Sequence, residues 1–111
     1  MADAVALRKQ LKIRSGMVLR LYKEQKLYQD EEVDLKRKLD KHIANNAEDW
    51  DIKNTRRMME ESQKMIADSA QRLGKAAQEL RGLIVSAEHH ASLAEDPDFL
   101  KAQEALEEVS V

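Results

Sequence analysis

Apolar residues recur every seven positions along the second half of the chain. This seam consists of Ile52, Met59, Ile66, Leu73, Leu80 and Ala87. A seven-residue repeat corresponds to 3.5 residues per turn, so these side chains line one side of a helix. Small or apolar residues also stand three and four positions further on, as Ala76 and Ala77 do after Leu73. Because so long a seam needs covering, the pattern predicts a helical rod packed against other helices.

A second helical stripe occupies the first 44 residues. Its apolar members, at spacings of three, four and seven, are Leu7, Leu11, Val18, Leu21, Tyr28, Leu35 and Leu39. Polar residues fill the remaining stripe positions, so long side chains must cover part of the apolar surface. Gly16 interrupts the pattern, which then resumes in phase. We therefore interpret Gly16 as a site of close helix approach in preference to a bend.

Two breaks divide the chain into three helices. The first lies at residues 45–49, where Asn46 or Asp49 can cap the next helix. The second lies at residues 95–98, where Asp96 fits an N-cap and Pro97 fits the first helical position. The predicted helices cover residues 4–44, 50–94 and 97–109. The fold class is therefore all-α, with residues 1–111 forming a single domain. We expect an elongated, antiparallel, coiled-coil-like three-helix bundle with two long helices and a short third.

The third helix is too short to cover the whole of the other two. From about Lys26 to Arg72, the predicted bundle has only two helices, which alone bury little surface. We expect this end to pair with another copy or to present apolar residues to a partner. Met58 and Met65 lie beside the seam, and methionine adapts to varied binding surfaces. For either residue alone, widening of the core is the favoured interpretation, whereas the open end as a whole favours a binding surface.

Composition supports long helices and excludes several classes of protein. Charged residues make up 36% of the 111 residues and aromatic residues 4%, with three glycines, one proline and no cysteine. The absence of cysteine excludes disulfides and thiolate chemistry. The chain shows no apolar run long enough for a bilayer and no signal-peptide pattern at its start. We therefore expect a cytosolic protein.

The net charge of −2 conceals an asymmetry. Residues 5–26 hold seven basic residues and one acidic residue, whereas residues 88–111 hold seven acidic residues and one basic residue. The basic end could bind nucleic acid or an acidic protein. However, the predicted topology brings the two ends together, so we expect most of these charges to face each other. We predict no nucleic-acid and no membrane partner.

No constellation of residues indicates an enzyme, a cofactor site or a metal site. The three glycines are isolated within helical patterns, so the sequence has no glycine-rich phosphate loop. His89 and His90 are adjacent and point about 100° apart on a helix, which does not favour one metal ion. The acidic clusters at residues 30–32 and 60–61 fit solvated helix faces. We expect no catalytic residues, no cofactor and no metal.

Three stretches of the chain resemble the tubulin-specific chaperone A family, also called tubulin-folding cofactor A. Residues 11–24 read LKIRSGMVLRLYKE and match a basic opening segment of that family. Residues 50–53 read WDIK, where the family usually has Tyr-Asp-aliphatic-Lys. Residues 61–68 read ESQKMIAD and precede Arg72 and Leu73, where the family usually reads ESRMMIPD and then RL. Ala67 replaces the family proline, which predicts a straighter second helix there. Lys64 makes that surface more polar.

This resemblance implies a non-enzymatic chaperone of the post-chaperonin tubulin folding pathway. Such a protein binds and stabilises β-tubulin folding intermediates, and hands them to later cofactors during assembly of the α/β-tubulin heterodimer. It would act in the cytoplasm and at the microtubule cytoskeleton, with a homodimer as an alternative state. β-Tubulin is acidic in this family context, so basic side chains could steer it and apolar ones could hold it. The residues proposed for these roles are Tyr28, Lys36, Arg37, Lys41, Trp50, Lys53, Arg57, Met58 and Met65.

Two alternatives remain open at this point. A homodimeric coiled-coil adaptor in trafficking or cytoskeletal scaffolding would bury the open end in a stable dimer and ignore tubulin. A basic helical RNA-binding protein would bind RNA with an affinity that falls steeply with salt. Light scattering and RNA titration would distinguish these alternatives from a chaperone.

Overall fold

The chain folds into three α-helices and one short 3-10 turn. The structure, a computed structural model, describes residues 3–109, and no β-strand occurs among them. Helix α1 runs Ala4–Ala44, α2 runs Asp49–Glu88 and α3 runs Pro97–Val109, with a 3-10 turn at Ala91–Leu93. The all-α prediction of two long helices and a short third is confirmed. Whether the chain behaves as a single domain stays a prediction.

The described residues pack as two units. Among the described residues, the three-helix unit contains 3–22 and 71–109, and the hairpin unit contains Lys23–Ala70. The apolar core lies in the three-helix unit, where all three helices and the 3-10 turn contribute buried side chains. Its larger buried members are Leu7, Leu11, Val18, Leu21, Leu73, Leu80, Ile84, Leu93 and Phe99.

Buried residues of the hairpin unit are small and hydroxylated. Between Lys23 and Ala70, all of which the structure describes, the buried residues are Thr55, Ser62 and Ser69. These three stand seven apart and three positions after the seam. The Ser62 hydroxyl donates to the backbone carbonyl of Tyr28 on α1 at 3.3 Å. Small side chains let the two helices approach closely, so little apolar area is enclosed between them.

The turn between α1 and α2 depends on Asn46. This residue has a positive φ of 52°, which few residues adopt at low cost. Its N–H donates to the Ile43 carbonyl at 3.3 Å, and the N–H of Ala47 donates to the His42 carbonyl at 2.9 Å. These bonds end α1 in a Schellman motif. Asn46 therefore terminates the first helix and does not cap the second, and Asp49 lies within the first turn of α2, so both capping assignments were wrong.

The prediction that the second helix reaches about Ala94 was wrong, because α2 ends at Glu88. His90 is extended, with φ −107° and ψ 106°, and a 3-10 turn follows it. Continuing the heptad beyond Ala87 would place Ala94 on the seam and Leu93 beside it. By leaving the helix, the chain instead buries Leu93 completely in the core. Burial of a leucine thus outweighs the helical preference of residues 89–94.

The third helix begins as the sequence predicts. Asp96 accepts a hydrogen bond from the Asp98 N–H at 2.9 Å, so its carboxylate caps the first turn of α3 after Pro97. The same carboxylate lies 2.7 Å from Nε of Arg8 on α1, and the Asp96 side chain is only 10% exposed. Asp96 therefore caps α3 and also binds its start to α1. The predicted pairing of the basic and acidic ends is confirmed at this contact.

Replacing Asp96 separates these two roles. We expect Asp96→Ala to lower the free energy of unfolding by about 2 kcal/mol, because it removes a cap and a charge-assisted hydrogen bond. Asp96→Asn keeps a good capping group and should cost about half as much. Urea unfolding followed by circular dichroism measures both. Equal losses in the two variants would show that the cap contributes nothing, and an unchanged Asp96→Asn would show that the ion pair contributes nothing.

Gly16 is not a site of close helix approach, contrary to the prediction. A Cβ built on Gly16, Gly74 or Gly82 meets no atom within 4 Å. All three are exposed, and none has a positive φ. Gly16 borders a cavity of about 260 Å³ between α1 and α3 that also contacts Leu19 and Ala105. Because glycine lacks a Cβ, this position leaves a gap, and no neighbouring helix fills it.

Alanine should therefore stabilise each glycine position. We expect Gly16→Ala, Gly74→Ala and Gly82→Ala each to raise the free energy of unfolding by about 0.5–1 kcal/mol, since glycine loses more backbone entropy in a helix. Thermal and urea unfolding check this expectation. Ala67→Gly at an exposed position of α2 is the mirror-image control and should destabilise by a similar amount. A lower melting temperature for the glycine replacements would contradict the open geometry.

Candidate partner-binding surface

The hairpin unit carries a shallow groove between α1 and α2. Its volume is about 380 Å³, and it is referred to below as the methionine groove. Its lining residues are Glu31, Asp34, Leu35, Met58, Glu61, Ser62 and Met65. Met58 and Met65 are 40% and 39% exposed, so each presents part of an apolar side chain to solvent. A partner can therefore contact the groove without any movement of the helices.

The heptad register explains why these residues meet. Met58 and Met65 each stand one position before a seam residue, two helical turns apart on the same side of α2. The short turn at residues 45–48 sets α1 alongside α2, so that Glu31 and Leu35 line the same groove as Met58 and Met65. The contact from Ser62 to the Tyr28 carbonyl holds the two helices at this level. The groove thus follows from the turn and the small buried hydroxyls.

The structure brings together only part of the residue set proposed from the sequence. Met58 and Met65 line the same groove, whereas the half-buried Tyr28 is joined to it only through its backbone carbonyl, which accepts a hydrogen bond from Ser62. Trp50 is 71% exposed in the first turn of α2 and does not line the groove. The five basic candidates are also exposed outside it; they are Lys36, Arg37, Lys41, Lys53 and Arg57.

Sequence reasoning missed the acidic border of the groove. Glu31 and Glu61 belong to acidic runs that fit solvated faces when each helix is considered alone. Aligning the helices through the turn at residues 45–48 would have placed both runs beside Met58 and Met65. Leu35 was assigned only to the packing stripe, yet it is half-buried and contributes to the groove.

Several basic residues of the three-helix unit are engaged within the fold. Nη1 of Arg14 donates to Oε2 of Glu79 at 2.8 Å, and Arg8 binds Asp96. Arg14 and Glu79 also border a cavity of about 350 Å³ that contacts Arg20, Arg72 and Lys75. Arg8 thus pairs with the acidic end as predicted, whereas Arg14 pairs with Glu79 of α2, which lies outside that end.

Neither clustered metal ligands nor a membrane-spanning helix is found among the described residues. Residues 3–109 contain no group of three or more histidine, aspartate or glutamate side chains arranged to hold a metal ion. Over the same range, no helix combines the length and apolarity needed to cross a membrane.

Comparisons with known proteins agree on one family. The family described as Tubulin binding cofactor A matches residues 6–106. The chain is 32% identical to human tubulin-specific chaperone A over 103 residues, which is 93% of each chain, and 33% identical to the chicken protein over the same length. It superposes on human tubulin chaperone cofactor A with a TM-score of 0.78, at 31% identity and covering 95% of this chain and 99% of that one. It superposes on tubulin folding cofactor A from Arabidopsis thaliana with a TM-score of 0.87, at 25% identity and covering 96% and 97%.

Proposed function

Because this chain belongs to the tubulin binding cofactor A family, we propose that it holds folding intermediates of β-tubulin after their release from the chaperonin and hands them to later cofactors. Family membership makes the chain a tubulin-folding cofactor and not an enzyme. The preference for β-tubulin, the handover, and action in the cytoplasm at the microtubule cytoskeleton belong to the proposal.

One observation carries the proposed mechanism. The hairpin unit fully buries no apolar side chain among residues 23–70, where the seam residues Ile52, Met59 and Ile66 are only half-buried, while it exposes several large ones. These exposed residues are Leu27, Val33, Ile43, Trp50, Met58 and Met65. Folding intermediates expose apolar surface and aggregate through it. A chaperone whose own core is confined to its three-helix unit can offer the hairpin unit as a cover for such surface.

The mechanism is reversible shielding. Apolar contacts of the hairpin unit cover the corresponding surface of the intermediate, and a later cofactor releases the client by competing for that surface. Methionine suits this role because its flexible side chain adapts to irregular surfaces. No step in this cycle uses nucleotide, so release depends on the relative affinities of the two cofactors for the client.

Direct capture tests the proposal. The purified chain is mixed separately with β-tubulin and α-tubulin newly released from the chaperonin, and the mixtures are resolved on native gels. We expect β-tubulin to comigrate with the chain and α-tubulin to migrate alone. Comigration of α-tubulin alone, or of neither protein, would contradict the proposal. Light scattering of the unmixed chain determines whether it is a monomer or the homodimer considered above.

The exposed basic side chains should accelerate the encounter with an acidic client. We expect glutamine at all five positions to lower the association rate constant about tenfold at low salt, with little change in dissociation. The changed residues are Lys36, Arg37, Lys41, Lys53 and Arg57. Stopped-flow fluorescence with labelled tubulin measures this rate at two salt concentrations.

A matched control removes the same charge from the three-helix unit. It carries glutamine at five exposed positions, which are Lys9, Lys12, Lys75, Arg81 and Lys101. We expect this control to associate faster than the first variant. Equal slowing of both variants would assign the effect to net charge and would remove the five proposed residues from the encounter.

A further inference from the structure

The methionine groove is bordered by charge of one sign. Glu31 and Asp34 contribute carboxylates from α1, and Glu61 contributes a third from α2. All three are exposed, and no lysine or arginine lines the groove. Arg37 lies 3.8 Å from Asp34, but both side chains are more than three-quarters exposed. A surface pair of this kind contributes little and leaves the groove acidic.

The floor of the groove is apolar and has a helical spacing. Met58 and Met65 lie seven residues apart on α2, which is about 10.5 Å along the helix axis. Leu35 adds an apolar side chain from α1. This distance matches side chains two turns apart on a second helix laid along the groove. Helix-in-groove recognition uses such anchors at positions i, i+3 or i+4, and i+7.

We propose that the methionine groove binds a basic amphipathic helix. Apolar side chains of that helix contact Met58, Met65 and Leu35, while its flanking lysine or arginine residues face Glu31, Asp34 and Glu61. Opposite charges along the border favour this partner over an acidic helix of the same apolar pattern. The inference goes beyond the proposed function, because it specifies the chemistry of the bound segment whichever protein supplies it.

Two synthetic helical peptides test the inference without tubulin. Both have 18 residues and the same leucine positions at i, i+3, i+4 and i+7, with lysine at the polar positions of one and glutamate in the other. Fluorescence anisotropy measures their affinities at 50 mM and 300 mM salt. We expect the lysine peptide to bind at least about tenfold more tightly than the glutamate peptide, and to weaken with salt. Equal affinities of the two peptides would overturn the inference.

Charge reversal at the border of the groove tests the location. The first variant carries Glu31→Lys, Asp34→Lys and Glu61→Lys. The matched control carries Asp30→Lys, Asp40→Lys and Glu60→Lys, which are exposed positions of the same unit outside the groove. Both changes shift the net charge by the same amount. We expect the first variant to lose binding of the lysine peptide about tenfold more than the control. Equal losses would assign binding to net charge and overturn the site.

Polar replacement of the floor provides a test that leaves charge unchanged. We expect Met58→Gln with Met65→Gln to weaken binding of the lysine peptide about tenfold, and Val85→Gln with Leu100→Gln, at similarly exposed positions of the three-helix unit, to leave it unchanged. These two uncharged double variants still test the location if the charge-reversed variant fails to fold, as judged by circular dichroism. Unchanged affinity in a folded Met58→Gln, Met65→Gln protein would overturn the inference. If the original chain forms a dimer and Met58→Gln with Met65→Gln dissociates it, the occupant of the groove is a second copy of the chain. That result would also overturn the inference.

Discussion

Leu80→Ala is expected to lower the free energy of unfolding by about 3 kcal/mol. Leu80 is 0% exposed and belongs to the core to which all three helices contribute. Removing a fully buried leucine side chain loses its transfer free energy and leaves a cavity. A loss of this size removes a substantial part of the stability of a chain of 111 residues. Urea unfolding followed by circular dichroism measures it.

The same replacement in the hairpin unit is the control. Leu39 belongs to the α1 stripe but is only half-buried. We expect Leu39→Ala to cost about 1 kcal/mol, because the leucine loses less contact. Amide hydrogen exchange should show the same contrast, with slower exchange around Leu80 than around Leu39. Similar unfolding losses for the two variants would contradict a core confined to the three-helix unit.

Local chemistry made the number of helices and most of their ends predictable. The pair Asp96 and Pro97 defines the start of α3, because a carboxylate caps the first turn and proline fits the first position. The seam of α2 predicts its packing side, and its last members are the buried ones. In each case the deciding interaction lies within a few residues along the chain.

Features that depend on a neighbouring element were not predictable in the same way. The end of α2 at Glu88 follows from burial of Leu93, and the core position that receives it is created by other helices. Gly16 appeared suited to close approach, but its space is open. The close contact between α1 and α2 instead uses the hydroxyl of Ser62, which the heptad places three positions after a seam residue.

The sequence predicted only the part of the candidate surface that lies on one helix, because the rest depends on the neighbouring helix. Methionine residues beside the seam indicated an adaptable apolar surface on α2 alone. The carboxylates of Glu31 and Asp34 become part of that surface only when α1 is placed beside α2 in register. The basic residues were assigned by the charge expected of the partner, and the groove has the opposite sign. The basic residues are therefore proposed to steer the client, and the groove residues are proposed to contact it.

Met58→Asp combined with Met65→Asp is expected to reduce capture of β-tubulin at least about tenfold. Both side chains line the groove and are 40% and 39% exposed, so a charge there removes apolar contacts without opening the buried core of the three-helix unit. Loss of central apolar anchors commonly costs a complex 2 kcal/mol or more each, which is about 30-fold in affinity. Pull-down of newly released β-tubulin measures the loss.

Val85→Asp with Leu100→Asp is the matched control. These residues are 51% and 44% exposed in the three-helix unit, so the two variants add equal charge at similarly exposed apolar positions. We expect the control to capture β-tubulin as the original chain does. If a folded Met58→Asp, Met65→Asp protein also captures β-tubulin normally, the methionine groove is not the capture site. Equal losses in both variants would instead attribute the defect to added negative charge, since the client is expected to be acidic.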